Sequence, residues 1–221
     1  MLILARIICL VGGYFFGIIQ TSYIYGKLHG IDIREYGSGN AGTTNALRVL
    51  GKKAGAVVFL GDLFKSVVAC SITHIIMNAL GIENVYLFVI YTAAGVVLGH
   101  NFPFYMQFKG GKGIAVSAAV IVASSSNTSL GWIMIGVFLA VFIIVVVITR
   151  YVSLGSLIVV WYFPLYVILE YHRIETSLFV IMLFIALLFT ALAYFKHAGN
   201  IRRLMNHTER KLGEKKEKEN E

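Results

Sequence analysis

Four short polar segments interrupt an otherwise apolar chain, and each carries residue types that grip anions. The first runs from Gly37 to Gly51, GSGNAGTTNALRVLG. Small residues such as Gly39 let backbone N–H groups converge on an anion. Ser38, Asn40, Thr44 and Asn45 add hydroxyl and amide donors, and Arg48 supplies a fixed charge with bidentate geometry. No Gly-Lys-Ser/Thr closes the segment, so it is not a Walker A loop; the plain alternative is a solvated loop of turn formers. The second runs from His100 to Gly113, HNFPFYMQFKGGKG. Lys109, Gly110, Gly111, Lys112 and Gly113 lead straight into an apolar helix, which places N–H groups, lysine charge and a helix N-terminus at one point. A flexible linker with snorkelling lysines would look similar.

The third segment, Thr149 to Ser156 (TRYVSLGS), is a basic turn bearing Ser153; alone it reads as a membrane anchor. The fourth, Lys196 to Lys211 (KHAGNIRRLMNHTERK), sets His197 and Asn200 three residues apart, on one face if the preceding helix continues. A lone histidine at a membrane boundary is more often structural than catalytic. His197 gains weight because three other anion-seeking segments share its side.

Absences narrow the chemistry further. Phosphoryl transfer through bound magnesium needs clustered carboxylates, and the apolar part of the chain holds only Asp62, with Lys65 three residues on. Such intramembrane pairs are structural or substrate-facing. Neither a Ser–His–Asp nor a Cys–His set is visible. Direct attack between two bound substrates is therefore expected, with no metal, no cofactor and no covalent enzyme intermediate.

The elements that position these segments follow from composition. Mean hydropathy is +0.79, with 58% hydrophobic and 14% charged residues, well below the charge content of soluble domains. Lipid is the solvent that such a chain requires. The net charge of +8 sits between apolar runs, which fits a collar facing anionic lipid or substrate and fits nucleic acid poorly. Cys9 and Cys70 both lie in apolar stretches, so no disulfide framework is expected. The first apolar run lacks a cleavage-type site and is read as a retained helix.

Charge-poor runs predict helices over Leu4–Tyr25, Ala54–Leu80, Val85–His100, Ile114–Ala123, Leu130–Ile148, Ser156–Leu169 (bent by Pro164) and Ser177–Phe195. The fourth and fifth are separated by the turn formers Ser124 to Thr128. Residues 1–212 form one compact all-α membrane bundle of about seven helices, some short or broken, and 213–221 a charged, disordered tail. Sixteen lysines and arginines fall on one side, against Arg6 and Arg173 on the other, with Lys65 inside. The positive-inside rule makes the sixteen-residue side cytoplasmic, with the N-terminus outside and the C-terminus inside. A six-span reading would scatter the motifs onto two faces.

At these segments the chain resembles the bacterial membrane acyl-phosphate:glycerol-3-phosphate acyltransferases (PlsY-type). The match runs in order through SGNAGTTNALR, GDLFKS, GHNFPFYMQFKGGKG, TRYVSLGS and KHAGNIRRLMNHTE. The His-x-x-x-x-Asp signature of the soluble-type glycerolipid acyltransferases is absent. The resemblance implies transfer of a fatty acyl group from acyl phosphate to the 1-hydroxyl of glycerol 3-phosphate, giving lysophosphatidic acid and phosphate. It implies a multi-pass protein of the bacterial inner membrane, monomeric, with its active site on the cytoplasmic face. Phosphate-binding roles map onto Ser38, Gly39, Asn40, Thr44, Asn45, Arg48, Lys109, Gly110, Gly111 and Lys112. Catalytic roles map onto Ser153, His197 and Asn200, with His100, Asp62 and Lys65 in support. Two departures stand out: Val116 where the family often has Thr, and His207 where it usually has Gly. The competing class is a small transporter of phosphate or glycerol 3-phosphate, since helices broken at glycine are common there.

Overall fold

The computed structural model describes residues 2–125 and 128–214, without the side chains of 123–125. Among the described residues the chain forms ten α-helices and no strand: α1 (Leu2–Gly17), α2 (Thr21–Leu28), α3 (Thr43–Ala79), α4 (Val85–Asn101), α5 (Ile114–Ser125), α6 (Ser129–Thr149), α7 (Val152–Val159), α8 (Tyr162–Tyr171), α9 (Thr176–Lys196) and α10 (Ala198–Met205). Among the described residues six runs are long and apolar enough to cross a membrane: Leu2–Leu28, Thr43–Ala79, Val85–Met106, Ser129–Thr149, Val152–Tyr171 and Thr176–Lys196. The remaining expected helix exists as α5. Its 12 residues rise about 18 Å, short of a hydrocarbon core of roughly 30 Å. Of the turn formers expected after it, Ser126 and Asn127 lie outside the described residues, as does the charged tail beyond Glu214.

Three expected single helices are broken. The first splits at Ile18–Gln20, where Gln20 is extended (φ −92°, ψ 94°). The carbonyls this break frees are captured from elsewhere: Lys65 Nζ donates to those of Gly17 and Ile19, and the Tyr105 hydroxyl to that of Ile18. Unpaired backbone in lipid is costly, so the break persists only because these donors reach it. The second expected helix begins earlier than Ala54, because Thr43–Leu50 is itself helical. Gly51 (φ 86°, ψ −175°) separates it from the long part of α3, and a side chain is disfavoured at that φ. The third splits into α7 and α8. Pro164 is the third residue of α8, where its missing N–H belongs to a first turn that leaves N–H groups unpaired anyway. It helps start a new helix and bends none.

α1 and α4 pack with backbones touching. A Cβ on Gly13 or Gly17 would lie 2.1 or 2.3 Å from the carbonyl oxygens of Thr92 and Val96; one on Gly95 or Gly99 would lie 2.0 or 2.2 Å from those of Leu10 and Tyr14. Apolar burial drives little association in lipid, and close approach through small residues takes its place. A second core joins α4, α8 and α9 through Leu87, Ile90, Tyr162, Tyr166, Met182 and Ala186, with Phe163 stacked on Phe189 at 5.6 Å. Both departures from the family pattern find their surroundings here. Val116 is fully buried with Ala69, Val96 and Val97. His207 sits at φ 56°, a left-handed backbone in which glycine is at ease.

The helices bring the four polar segments to one end of the bundle. α1, α4 and α9 run toward it, α3, α5 and α7 start from it, and α6 returns to it, where Arg150 pairs with Leu212.

Candidate active site

At that end one carboxylate organises three elements. Glu209 is buried, with 5% of its side chain exposed. Its Oε1 accepts from Ser153 Oγ of α7 at 2.8 Å and from Asn200 Nδ2 of α10 at 2.6 Å, and its Oε2 accepts from Arg203 Nε at 2.7 Å. Burial raises the Glu209 pKa, but these three hydrogen bonds outweigh it and hold the carboxyl below its ordinary value. Asn200 turns its other face to the glycine turn, where Oδ1 accepts from Lys112 Nζ. Ser153, Asn200 and Lys112 thus share one hydrogen-bonded network.

Lys112 follows the Gly110–Gly111 turn and precedes α5. Burial lowers its ammonium to about 8; Glu209 opposes this, while Arg203, Arg48 and Lys196 push the same way. Lys112, Arg203, Arg48 and Lys196 therefore crowd the site beyond what Glu209 neutralises. That is the electrostatic signature of an anion site. His197 caps α9 with φ −100° and ψ 6°, so the helix ends there and α10 starts afresh. Its Nδ1 lies 2.7 Å from the Ala193 carbonyl. A carbonyl only accepts, so the ring proton sits on Nδ1 and Nε2 keeps its lone pair. Burial and then Lys112 push His197 down to about 4, which leaves it neutral near pH 7.

The glycines of the turn have a steric reason. A Cβ on Gly110 would lie 2.1 Å from the His100 carbonyl oxygen, and one on Gly111 2.1 Å from His100 Nε2. The turn differs from expectation in its donors. Gly110 N–H donates to the Asn101 carbonyl and Gly111 N–H to that of His100, so these two amides shape the turn. The donors open to an anion are the Lys112 side chain and the first N–H groups of α5, which a helix start leaves unpaired.

The first motif is also partly inward-facing. Asn45 Oδ1 accepts from Ser38 N–H (2.8 Å) and Ser38 Oγ (3.1 Å), while its Nδ2 donates to the carbonyls of Ile33 and Tyr36. Asn45 therefore knots the loop and has no donor left for a ligand, and the Ser38 hydroxyl is tied to it. Arg48, from the helical half Thr43–Leu50, reaches the strap that carries Glu209: its Nη2 donates to the Arg210 carbonyl at 3.3 Å. Gly39 and Lys109 are exposed, Asn40 and Thr44 half-buried. None of these four residues joins the Glu209 network. Asp62, Lys65 and His100 lie deeper, as one ion-paired cluster (Lys65 Nζ to Asp62 Oδ1, 2.9 Å). Among the described residues no group of histidine, cysteine and carboxylate side chains could hold a metal ion.

Sequence reasoning missed Glu209, Arg203 and Lys196. Lys196 donates to the Asn101 carbonyl at 3.0 Å and lies over the Phe102 ring. The available signal was that Glu209 is a lone carboxylate within a run of cations.

The comparisons with known proteins agree with one another. The profile of the family described as glycerol-3-phosphate acyltransferase matches residues 7–207. A glycerol-3-phosphate acyltransferase of Clostridioides difficile (strain 630) is 44% identical over 219 residues, covering 97% of this chain and 99% of that one. One of Thermoanaerobacter sp. (strain X514) is 42% identical, covering 92% and 94%. Two crystal structures of PlsY (YgiH), an integral membrane glycerol 3-phosphate acyltransferase, are similar in fold. Its glycerol 3-phosphate form has a TM-score of 0.79 at 31% identity, covering 94% of this chain and 96% of that one. Its lysophosphatidic acid form has a TM-score of 0.76, covering 94% and 95%.

Proposed function

This chain belongs to the glycerol-3-phosphate acyltransferase family, and on that premise we propose that acyl phosphate is its donor and the 1-hydroxyl of glycerol 3-phosphate its acceptor. The observation that carries the proposal is the convergence of Lys112, Asn200, Ser153 and Arg203 around one carboxylate, with Arg48 tied to the same strap. Two phosphorylated substrates need two anion grips, and a surplus of cations suits both. The site lies in the bacterial inner membrane, facing the cytoplasm, a reading supported by the sixteen basic residues that the sequence assigns to the side of the motifs.

In the proposed step the glycerol hydroxyl oxygen attacks the acyl carbonyl carbon, the bond from that carbon to the phosphate oxygen breaks, and inorganic phosphate departs. Holding the partners together is worth about 7–11 kcal/mol in favourable cases. Lys112 and the α5 N-terminus offset charge growing on the carbonyl oxygen and leaving phosphate. The hydroxyl proton goes to a phosphate oxygen. His197, at about 4, is a weaker base than a phosphate dianion, whose conjugate acid has a pKa of about 6. No acyl-enzyme forms: Cys9 and Cys70 are buried in the apolar bundle, and the Ser153 hydroxyl is bonded to a carboxylate too weakly basic to activate it. The transporter alternative is disfavoured by the family match, and at the break between α1 and α2 the freed carbonyls are taken by Lys65 and Tyr105.

Purified protein given acyl phosphate and glycerol 3-phosphate should release inorganic phosphate in step with lysophosphatidic acid. Release no greater than that of a blank without protein would sink the proposal.

A further inference from the structure

Beneath the glycine turn, the polar groups buried at membrane depth form one connected knot. Lys65 is 4% exposed. Its Nζ lies 2.9 Å from Asp62 Oδ1, 2.7 Å from the Ile19 carbonyl, 3.2 Å from that of Gly17 and 3.0 Å from His100 Nδ1. An ammonium only donates, so His100 Nδ1 accepts and the ring proton sits on Nε2. The backbone of His100 is held as firmly. Its carbonyl accepts from Gln20 Nε2 at 2.6 Å and from Gly111 N–H at 3.0 Å. The Nε2 edge of the ring lies against Gly111, filling the place where a Cβ would be.

We propose that Lys65 and Asp62 are positioning residues for the phosphate turn, acting through His100. Lys65 fixes the imidazole as the neutral Nε2–H tautomer and holds it under Gly111. The ring and carbonyl of His100 then set the curvature that delivers Lys112 and the start of α5 to the anion. A pair that merely braced the α1–α2 break would need only the Gly17 and Ile19 carbonyls. The contact to His100 carries the influence into the turn. Without Lys65 the ring could take the other tautomer and turn a lone pair toward an anion-binding loop. The inference rests on the reading of that turn as the grip for glycerol 3-phosphate.

Two measurements test it. In protein labelled with ¹⁵N-histidine and held in lipid nanodiscs, the His100 resonances, assigned by their loss in His100→Gln, should show Nδ1 unprotonated and Nε2 protonated. The double variant Asp62→Asn/Lys65→Gln removes both charges together and leaves neither unpaired. It should raise KM for glycerol 3-phosphate roughly tenfold or more while kcat changes much less. An Nδ1-protonated His100 in the wild type overturns the inference. So does a double variant whose KM and kcat match wild type while only its melting temperature falls. Should that variant fail to accumulate, the wild-type tautomer still decides. A wild type that releases no phosphate sinks the functional reading instead, which the tautomer measurement does not address.

Discussion

Raising the pH should weaken catalysis and strengthen the fold at the same time, because both respond to Lys112 with opposite sign. Its ammonium is the charge nearest the proposed phosphate, and burial lowers it from the usual 10.5 to about 8. Below that value the cation is present and grips phosphate; above it, kcat/KM should fall about tenfold per pH unit. Stability runs the other way. Between the folded value and 10.5 the unfolded chain binds a proton that the folded chain does not, so stability rises with pH across that window. The difference corresponds to a ceiling on the order of 3 kcal/mol. A bound phosphate dianion stabilises the charged form, so the limb in kcat should lie at higher pH than the limb in kcat/KM. The assay is initial phosphate release, corrected for spontaneous hydrolysis, alongside thermal unfolding at the same pH values. Lys112→Arg should lose the alkaline limb, since a guanidinium stays charged, and Lys112→Met should flatten the stability difference. A limb near pH 8 that survives in Lys112→Arg would refute the assignment.

Four other perturbations have defined outcomes. His197 is neutral across the physiological range, so kcat/KM should show no histidine limb near pH 6.5, and His197→Ala should lose less than the roughly 10²–10⁴-fold typical of acid–base residues, a loss within that range telling against the substrate-assisted step. Glu209→Gln keeps an acceptor for Ser153 and Asn200 but loses the charge facing Arg203, which is 45% exposed; about 2 kcal/mol of stability should go, read by thermal unfolding. In the wild type the Glu209 contribution is present above the ordinary carboxyl value and lost as pH falls through the lower folded one; Glu209→Gln should lack that dependence. Gly95→Ala forces a Cβ against the Leu10 carbonyl and should cost about 1–3 kcal/mol in detergent unfolding. His207→Gly should gain about 0.5–1 kcal/mol by relieving a left-handed backbone.

The long helices were legible because hydropathy alone specifies them: α4, α6 and α9 begin and end within a residue or two of expectation. The break between α1 and α2 was not, because it is stabilised by groups distant in sequence. Nothing near Ile18 or Gln20 announces that Lys65 and Tyr105 will take their carbonyls. Residue type located the site but not its wiring. Asn45 has the chemistry of an anion donor, yet the backbone of its own loop consumes its hydrogen bonds. Glu209 passed unnoticed because carboxylates were weighed as metal ligands, and its task here is to gather donors. That task depends on Ser153, 56 positions away.

The contact between α1 and α4 also bears on how the gene can vary. Gly13, Gly17, Gly95 and Gly99 each stand where a Cβ would fall about 2 Å from a carbonyl oxygen of the opposing helix. Every amino acid reachable from a glycine codon by one base change carries a Cβ. These four codons therefore have no harmless missense neighbour, whatever the chemistry of the new side chain. Drift can recolour the outward side of α1, where leucine, isoleucine and phenylalanine are exposed. Along the seam it is confined to the silent third base.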